Sequence, residues 1–304
     1  TRTRRAYQMA LKEKADIYHF HDAELIGVGL KLKRRGAKVI FDCHEDNPGY
    51  AMQKHYLPYF VRVVLAKSIH MLEKYAAPRF SAVIAADQGV ADRFVSFGAN
   101  TRVVYNFPRI DLFLASTKAV EKEYDLVYHG TIPKYHLEKC FAIDDELVKR
   151  GVQARWLFLG KIPFLDWAIE EIERRGATDR IILHKPVPHE EVAERVRAAK
   201  IGIIPLPDLP KFQFNIPTKL FEFMVLGMPT VLSDLPPSRP FIEQSGAGVL
   251  VPPADFGRYA EEIVNLLESP ETCKQMGESG REKVLSEWNW DAQAKTLLSL
   301  YDSL

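Results

Sequence analysis

Residues 203–234 read IIPLPDLPKFQFNIPTKLFEFMVLGMPTVLSD, and this stretch decides the fold. A strand gives way to a proline-rich loop, and a helix then starts near Ile216 with Pro217 in its first turn, where a missing N–H does no harm. Gly227 closes the helix, and Pro229 leads into the next strand. Leu220, Phe221, Phe223, Met224, Val225 and Leu226 make the helix apolar nearly all round, which predicts burial. Lys219 and Glu222 stand within it, three residues apart on one flank, with Thr218 a turn before Glu222. Charges in such a place are costly unless they are paired or hold something. Two explanations stand open: an ion pair of Lys219 with Glu222 at the rim of the core, or a carboxylate that accepts hydrogen bonds from ligand hydroxyls while Lys219 and the helix N-terminus face an anion.

Outward from this stretch, short β-rich runs alternate with longer amphipathic runs, the pattern of βαβ units around parallel sheets. Strands are expected at residues 16–22, 38–45, 81–87 and 101–106, then at 125–129, 155–159, 180–184, 201–206, 230–233 and 248–251. Helical runs are expected at 23–35, capped by Gly36, and over 57–77. The polar run STKAVEKE at 116–123 separates two such sets and predicts a first domain over 1–115 and a second over 116–288. Residues 289–304 are expected to return as a helix to the first domain.

Composition sets the bounds. With 304 residues, 47% of them apolar, the chain is long enough for two packed cores. Lys and Arg number 41 against 40 Asp and Glu, which argues against a nucleic-acid binder held by phosphate attraction. The charge is uneven, however: between residues 1 and 106 the basic residues exceed the acidic ones by seven. The three cysteines, Cys43, Cys140 and Cys273, suit neither a disulfide framework nor paired zinc ligands, so a reducing cytoplasm is expected. No run reaches the length of a membrane span. Because the chain begins with Thr1 rather than Met, a preceding segment is expected.

Parallel sheets bind ligands beyond the carboxyl ends of their strands. In the first set those ends carry His21 and Asp22, His44 with Glu45 and Asp46, and Asn106. In the second they carry Gly130 and Thr131, Gly160 and Lys161, and His184 with the loop KPVPHEEV that contains Val187. His44 is well placed because it leaves an apolar strand beside two carboxylates, and His19 reads as structural.

Residues 215–230 resemble the signature of family 4 retaining glycosyltransferases, in the branch with the motif N-x-P-x-K-L-F-E-[YF]-M-x-x-G-x-P-V. The stretch from Ile17 to Asp46, YDLVYHGTIPK at 124–134 and GAGVLVPPADF at 246–256 resemble the acceptor side, the start of the donor domain and the C-terminal stretch of the same family. The resemblance implies an α/β fold of the GT-B kind: two Rossmann-like domains facing across a cleft, the first lacking its initial strands. It also implies transfer of a sugar from a nucleotide diphosphate to a glycan or lipid-linked acceptor with retention of configuration, in surface polysaccharide or glycoconjugate synthesis.

By that resemblance Glu222 holds the donor ribose, Lys134 grips the pyrophosphate and His44 approaches the sugar, which makes these three the catalytic candidates. Donor binding falls to Gly130, Thr131, Lys134, Gly160, Val187, Asn215, Thr218, Lys219 and Glu222. His21, Asp22, Glu45 and Asp46 fall on the acceptor side. The first carboxylate of the family's E-x7-E motif is replaced here by Phe214, with Asn215 beside it. No D-x-D sequence offers a metal site, so neither metal nor cofactor is expected, and fixed positive charge must meet the departing diphosphate. The helical run over 57–77 mixes aromatic with basic residues and can rest on an anionic membrane, although such a stripe is more often core. The rival readings are a catalytically silent nucleotide-sugar binder or assembly protein, and a GT-B epimerase or phosphorylase.

Overall fold

A computed structural model describes residues 2–54, 56–114 and 120–304. The chain forms two compact units. One comprises Thr1–Asn106, Leu209–Ile216 and Asp291–Leu304; the other comprises Phe107–Asp208 and Pro217–Trp290. The division expected at 115/116 falls among residues outside those described, and the change of unit lies at Asn106/Phe107.

The first unit is built on four parallel strands in the order β1-β2-β3-β4: β1 (Ile17–Phe20), β2 (Lys38–Cys43), β3 (Ala82–Ala85) and β4 (Thr101–Val103). The two inner strands are buried along nearly their whole length, as expected of a parallel sheet covered on both faces. Phe41 stacks on Phe20 and meets Phe94 edge-on, with ring centres 5.1 and 5.9 Å apart. Close packing on the helix Ile26–Arg34 requires Gly29, where a Cβ would lie 2.6 Å from the Phe20 ring. A helix at Arg2–Glu13, not foreseen from the sequence, precedes β1. The terminal helix Trp290–Ser303 belongs mostly to this unit: Gln293 Oε1 accepts from Tyr105 N–H at 2.9 Å, and Tyr301 OH meets His19.

The second unit contains β5 (Tyr124–Thr131), β6 (Trp156–Lys161), β7 (Ile181–His184), β8 (Ala199–Ile204), β9 (Thr230–Ser233) and β10 (Gly248–Val251). All pairings are parallel, in the order β10-β9-β8-β5-β6-β7. The chain runs outward from β5 through β6 to β7, then crosses back and runs outward the other way from β8. The reversal between β5 and β8 is a topological switch point, where a crevice opens beyond the carboxyl ends of the strands. Trp156 and Phe158 stack in this core at 5.5 Å, and the Trp156 indole N–H donates to the buried Asp144, which also takes both terminal nitrogens of Arg180.

Candidate functional site

Beside the switch point, the neighbouring ends of β5 and β6 carry no side chain to fill the space beyond them. Gly130 and Gly160 are paired across β5 and β6. Their φ values are +102° and +142°, a region that favours glycine. A Cβ on Gly160 would stand 2.0 Å from the Gly130 carbonyl oxygen, so no other residue fits there. With Thr131, Lys161, Pro186 and Val187 these glycines border a cavity of about 280 Å³. A larger cavity of about 500 Å³ shares Gly160, Lys161 and Pro186 and continues past His184 between β7 and the helix Leu165–Arg174. Its walls are mainly apolar, through Ile162, Leu165 and Leu183, with Lys161, His184 and Lys185 also along them.

Two further charges, Lys219 and Glu222, come from the helix Thr218–Val225, which follows β8 across the switch point. It begins at Thr218, with Pro217 as its N-cap and no side chain capping its first amides. Lys219 does not make the simple ion pair with Glu222 that spacing allows. Its Nζ donates to Tyr128 OH at 3.1 Å and sits 4.3 Å over that ring, at 4.0 Å from where a Gly130 Cβ would stand. Burial pushes the Lys219 ammonium down to about 8, against a smaller upward pull from Glu222. Tyr128 OH in turn meets the buried His136 Nδ1. Glu222 Oε2 lies 3.3 Å from Nε2 of the buried His129, the residue between Tyr128 and Gly130. Three successive residues of β5 therefore face Lys219, Glu222 and the opening.

Other residues expected on the donor side are placed differently. Lys134 opens the helix Lys134–Lys149, but its Nζ is 4.5 Å over the Trp167 ring and 3.9 Å from Glu138. Thr218 is exposed at the start of its helix. Asn215 is exposed on the segment Leu209–Ile216, which packs with the first unit, beside Phe214, whose ring would lie 3.0 Å from a Cβ on Gly89.

In the first unit the strand before His44 is not wholly apolar: Asp42, buried within β2, is the centre of a cluster. His19 Nε2 and His21 Nδ1 lie 3.1 and 3.4 Å from its Oδ2, and His44 Nε2 lies 3.3 Å from its Oδ1. Burial alone would push the Asp42 carboxyl up, but its contacts with His19 and His44 outweigh this and hold it at about 2. The bond to Asp42 raises the His44 imidazole above its usual value, against a smaller effect of burial. His19, read from sequence as structural, is part of this cluster. Asp42 itself was not foreseen, although the spacing D-x-H puts both side chains on one face of a strand.

Asp22 and Glu45 are exposed at the same strand ends. Asp46 is occupied as a helix cap: its Oδ2 accepts from Gly49 N–H at 3.1 Å and its Oδ1 pairs with Arg93. Behind it, the fully buried Glu73 accepts from Asn47 at 2.9 Å and lies 3.3 Å from Arg93, which ties this loop to the helix Tyr59–Ala76. The sequence pattern gave no sign of that buried carboxylate. On the same helix Tyr59, Phe60 and Val64 are exposed. No helix among the described residues is long and apolar enough to cross a membrane.

Comparison with known proteins agrees with this architecture. The structure of HepE from Anabaena, determined in complex with UDP and glucose, superposes with a TM-score of 0.75 over 99% of this chain and 81% of HepE, at 15% identity. Sucrose-phosphate synthase from Thermosynechococcus elongatus gives 0.70 over 97% of this chain and 75% of that one, at 20% identity. These likenesses establish two Rossmann-like domains of the GT-B kind. In sequence, alpha-D-kanosaminyltransferase of Streptomyces kanamyceticus is 23% identical over 156 residues, 51% of this chain and 39% of that protein. D-inositol 3-phosphate glycosyltransferase 2 of Catenulispora acidiphila is 26% identical over 128 residues, 42% of this chain and 29% of its own length. The match thus spans well under half of either relative. Residues 1–111 match the family described as Glycosyltransferase Family 4. Residues 111–283, more than half of the chain and the whole of the glycine-lined crevice, match glycosyl transferases group 1, and the chain belongs to that family.

Proposed function

We propose that the second unit binds a nucleoside-diphosphate sugar at the switch point and that the protein transfers this sugar, with retention of configuration, to a glycan or lipid-linked acceptor. The observation that carries the reading is the pairing of a side-chain-free cradle, Gly130 with Gly160, and an enclosed ammonium, Lys219, held towards neutrality by burial. Such an ammonium is poorly accommodated alone and well accommodated beside an anion. A diphosphate over the two glycines would lie against backbone and restore its full charge.

Glu222, 3.3 Å from His129, is assigned to the ribose hydroxyls. Val187 and Pro186 border the space for the base, and the uncapped amides of the helix Thr218–Val225 add positive potential. As the glycosidic bond breaks, negative charge grows on the departing diphosphate, and Lys219 with these amides stabilises it where it appears, without a metal at that position. Lys134 joins them only by leaving Trp167 and Glu138. His44 and the exposed His21, Asp22 and Glu45 are assigned to the sugar and the acceptor. The names of the relatives support the class of reaction, and the bound UDP and glucose of HepE support the class of donor.

The test is release of nucleoside diphosphate from uridine, guanosine and adenosine diphosphate sugars, with and without glycan or lipid-linked acceptors, alongside a thermal-shift screen of the same donors. One donor is expected to raise the melting temperature and to be consumed only with acceptor. Glu222→Ala is expected to remove the shift and leave the ligand-free melting temperature in place. A mutant that melts early instead would make Glu222 a structural partner of His129 and refute its role.

A further inference from the structure

The histidine cluster of the first unit has a geometry that donor binding does not explain. Alternation along β1 places His19 and His21 on one face, and the same alternation along β2 places Asp42 and His44 together. The parallel register Phe20↔Phe41, carried one residue further, brings His21 beside Asp42. His19 Nε2 and His21 Nδ1 converge on one carboxylate oxygen at 3.1 and 3.4 Å; His44 Nε2 is 3.3 Å from the other oxygen and 3.1 Å from His21 Nδ1. A tetrahedral ion with bonds of about 2.0–2.1 Å has ligand atoms roughly 3.3 Å apart. The separations of His19 and His21 from Asp42 Oδ2 are those of such a shell, and the ligand atoms of these three residues lie within 4.8 Å of one another.

Two further observations point the same way. The Asp42 side chain is nine-tenths buried, and its Oδ1 has the His44 Nε2 beside it at 3.3 Å, so both carboxylate oxygens face imidazole nitrogens of the cluster. The outer nitrogen of His19 is held by Tyr301 OH at 2.6 Å, and that of His44 by the Asn106 side-chain amide at 3.1 Å. Outer partners of this kind orient imidazoles that ligate metals.

We propose that His19, His21 and Asp42 form a binding site for a divalent first-row transition-metal ion such as Zn²⁺, with His44 as a further nitrogen at its edge. Two imidazoles and one carboxylate suit zinc or cobalt rather than calcium or magnesium, which take oxygen shells. His21, 60% exposed, leaves the site open to solvent on one side, so that an ion held by three protein ligands keeps a free position.

The experiment uses the full chain without a histidine tag, freed of metal by chelation, with Zn²⁺ added by titration calorimetry and Co²⁺ followed by visible absorption. One ion per chain and the intense absorption of four-coordinate cobalt are expected. Asp42→Asn should lose the ion, and His21→Ala should weaken it by about tenfold or more. Because the His21 side chain is largely exposed, its replacement decides the matter even if the buried Asp42→Asn variant fails to fold. Absence of stoichiometric binding, or an affinity unchanged by His21→Ala, would overturn the proposal and leave a hydrogen-bonded cluster. No sugar nucleotide enters the measurement, so its outcome is independent of the transferase reading.

Discussion

Replacing Lys219 by Met should make the protein more stable and unable to bind its donor. The ammonium falls from the usual lysine value of 10.5 to about 8, chiefly through burial. At about 1.36 kcal/mol per tenfold change in acidity, that corresponds to roughly 3 kcal/mol carried by the ligand-free fold. Solvent at the partly open side screens part of this, and loss of the hydrogen bond to Tyr128 removes about 1 kcal/mol. A net gain of about 1–2 kcal/mol remains, or about 2–8 °C in melting temperature for a unit of this size. The sign can be checked against pH. A lysine depressed on folding binds fewer protons in the native than in the unfolded state between about 8 and 10.5, so its penalty is complete below pH 8 and fades as pH rises through that window. The advantage of Lys219→Met should therefore be largest at pH 7 and shrink towards pH 10. Differential scanning fluorimetry at several pH values, with and without nucleoside diphosphate, reads both effects. A variant that melts below wild type at pH 7, or that still responds to the nucleotide, would refute the reasoning.

Other outcomes follow from the same geometry. Nucleoside diphosphate binding at pH 8 should take up roughly half a proton, because the anion recharges a half-protonated Lys219; calorimetry in buffers of different ionisation enthalpy would show it, and identical enthalpies in every buffer would contradict it. Gly160→Ala places a Cβ 2.0 Å from the Gly130 oxygen at a φ of +142°, and should cost about 3 kcal/mol in urea unfolding as well as nucleotide affinity. An unchanged midpoint would show that the cradle can open. Asp144→Asn removes the anion from a pair in which the Arg180 side chain is 9% exposed, and should cost about 3–5 kcal/mol without changing the nucleotide preference of whatever protein remains folded.

The alternation of strands and helices was readable because each strand is a short apolar run and each connection carries a helical period. The ten expected strands correspond to β1 through β10, with ends shifted by a few residues. Strand order was not legible, and the switch point depends on it. The Lys219 and Glu222 pair stood out by its charge in an apolar helix, but their partners Tyr128 and His129 lie on a strand far back in the chain, which spacing along a helix cannot reveal. Likewise, nothing local in LPKFQFNI shows that residues Leu209–Ile216 pack with the first unit. Asp42 is hidden for the opposite reason: the apolar run around it reads as a buried strand, and only alternation along that strand puts it on the face of His44. Asp46, expected on the acceptor side, caps a helix instead, a role to which the D-N-P-G order with proline in the first turn is suited.

Binding of a nucleoside diphosphate over the Gly130 and Gly160 cradle, next to Lys219, is the step on which every donor-side assignment above depends. Calorimetric titration of UDP, GDP and ADP into wild type, Lys219→Met and Glu222→Gln tests it most directly. One nucleotide should bind wild type with one-to-one stoichiometry and lose about tenfold or more in affinity in each variant, the effect of removing a charge-assisted contact. A nucleotide bound equally well by all three proteins, or none bound by wild type, would contradict it.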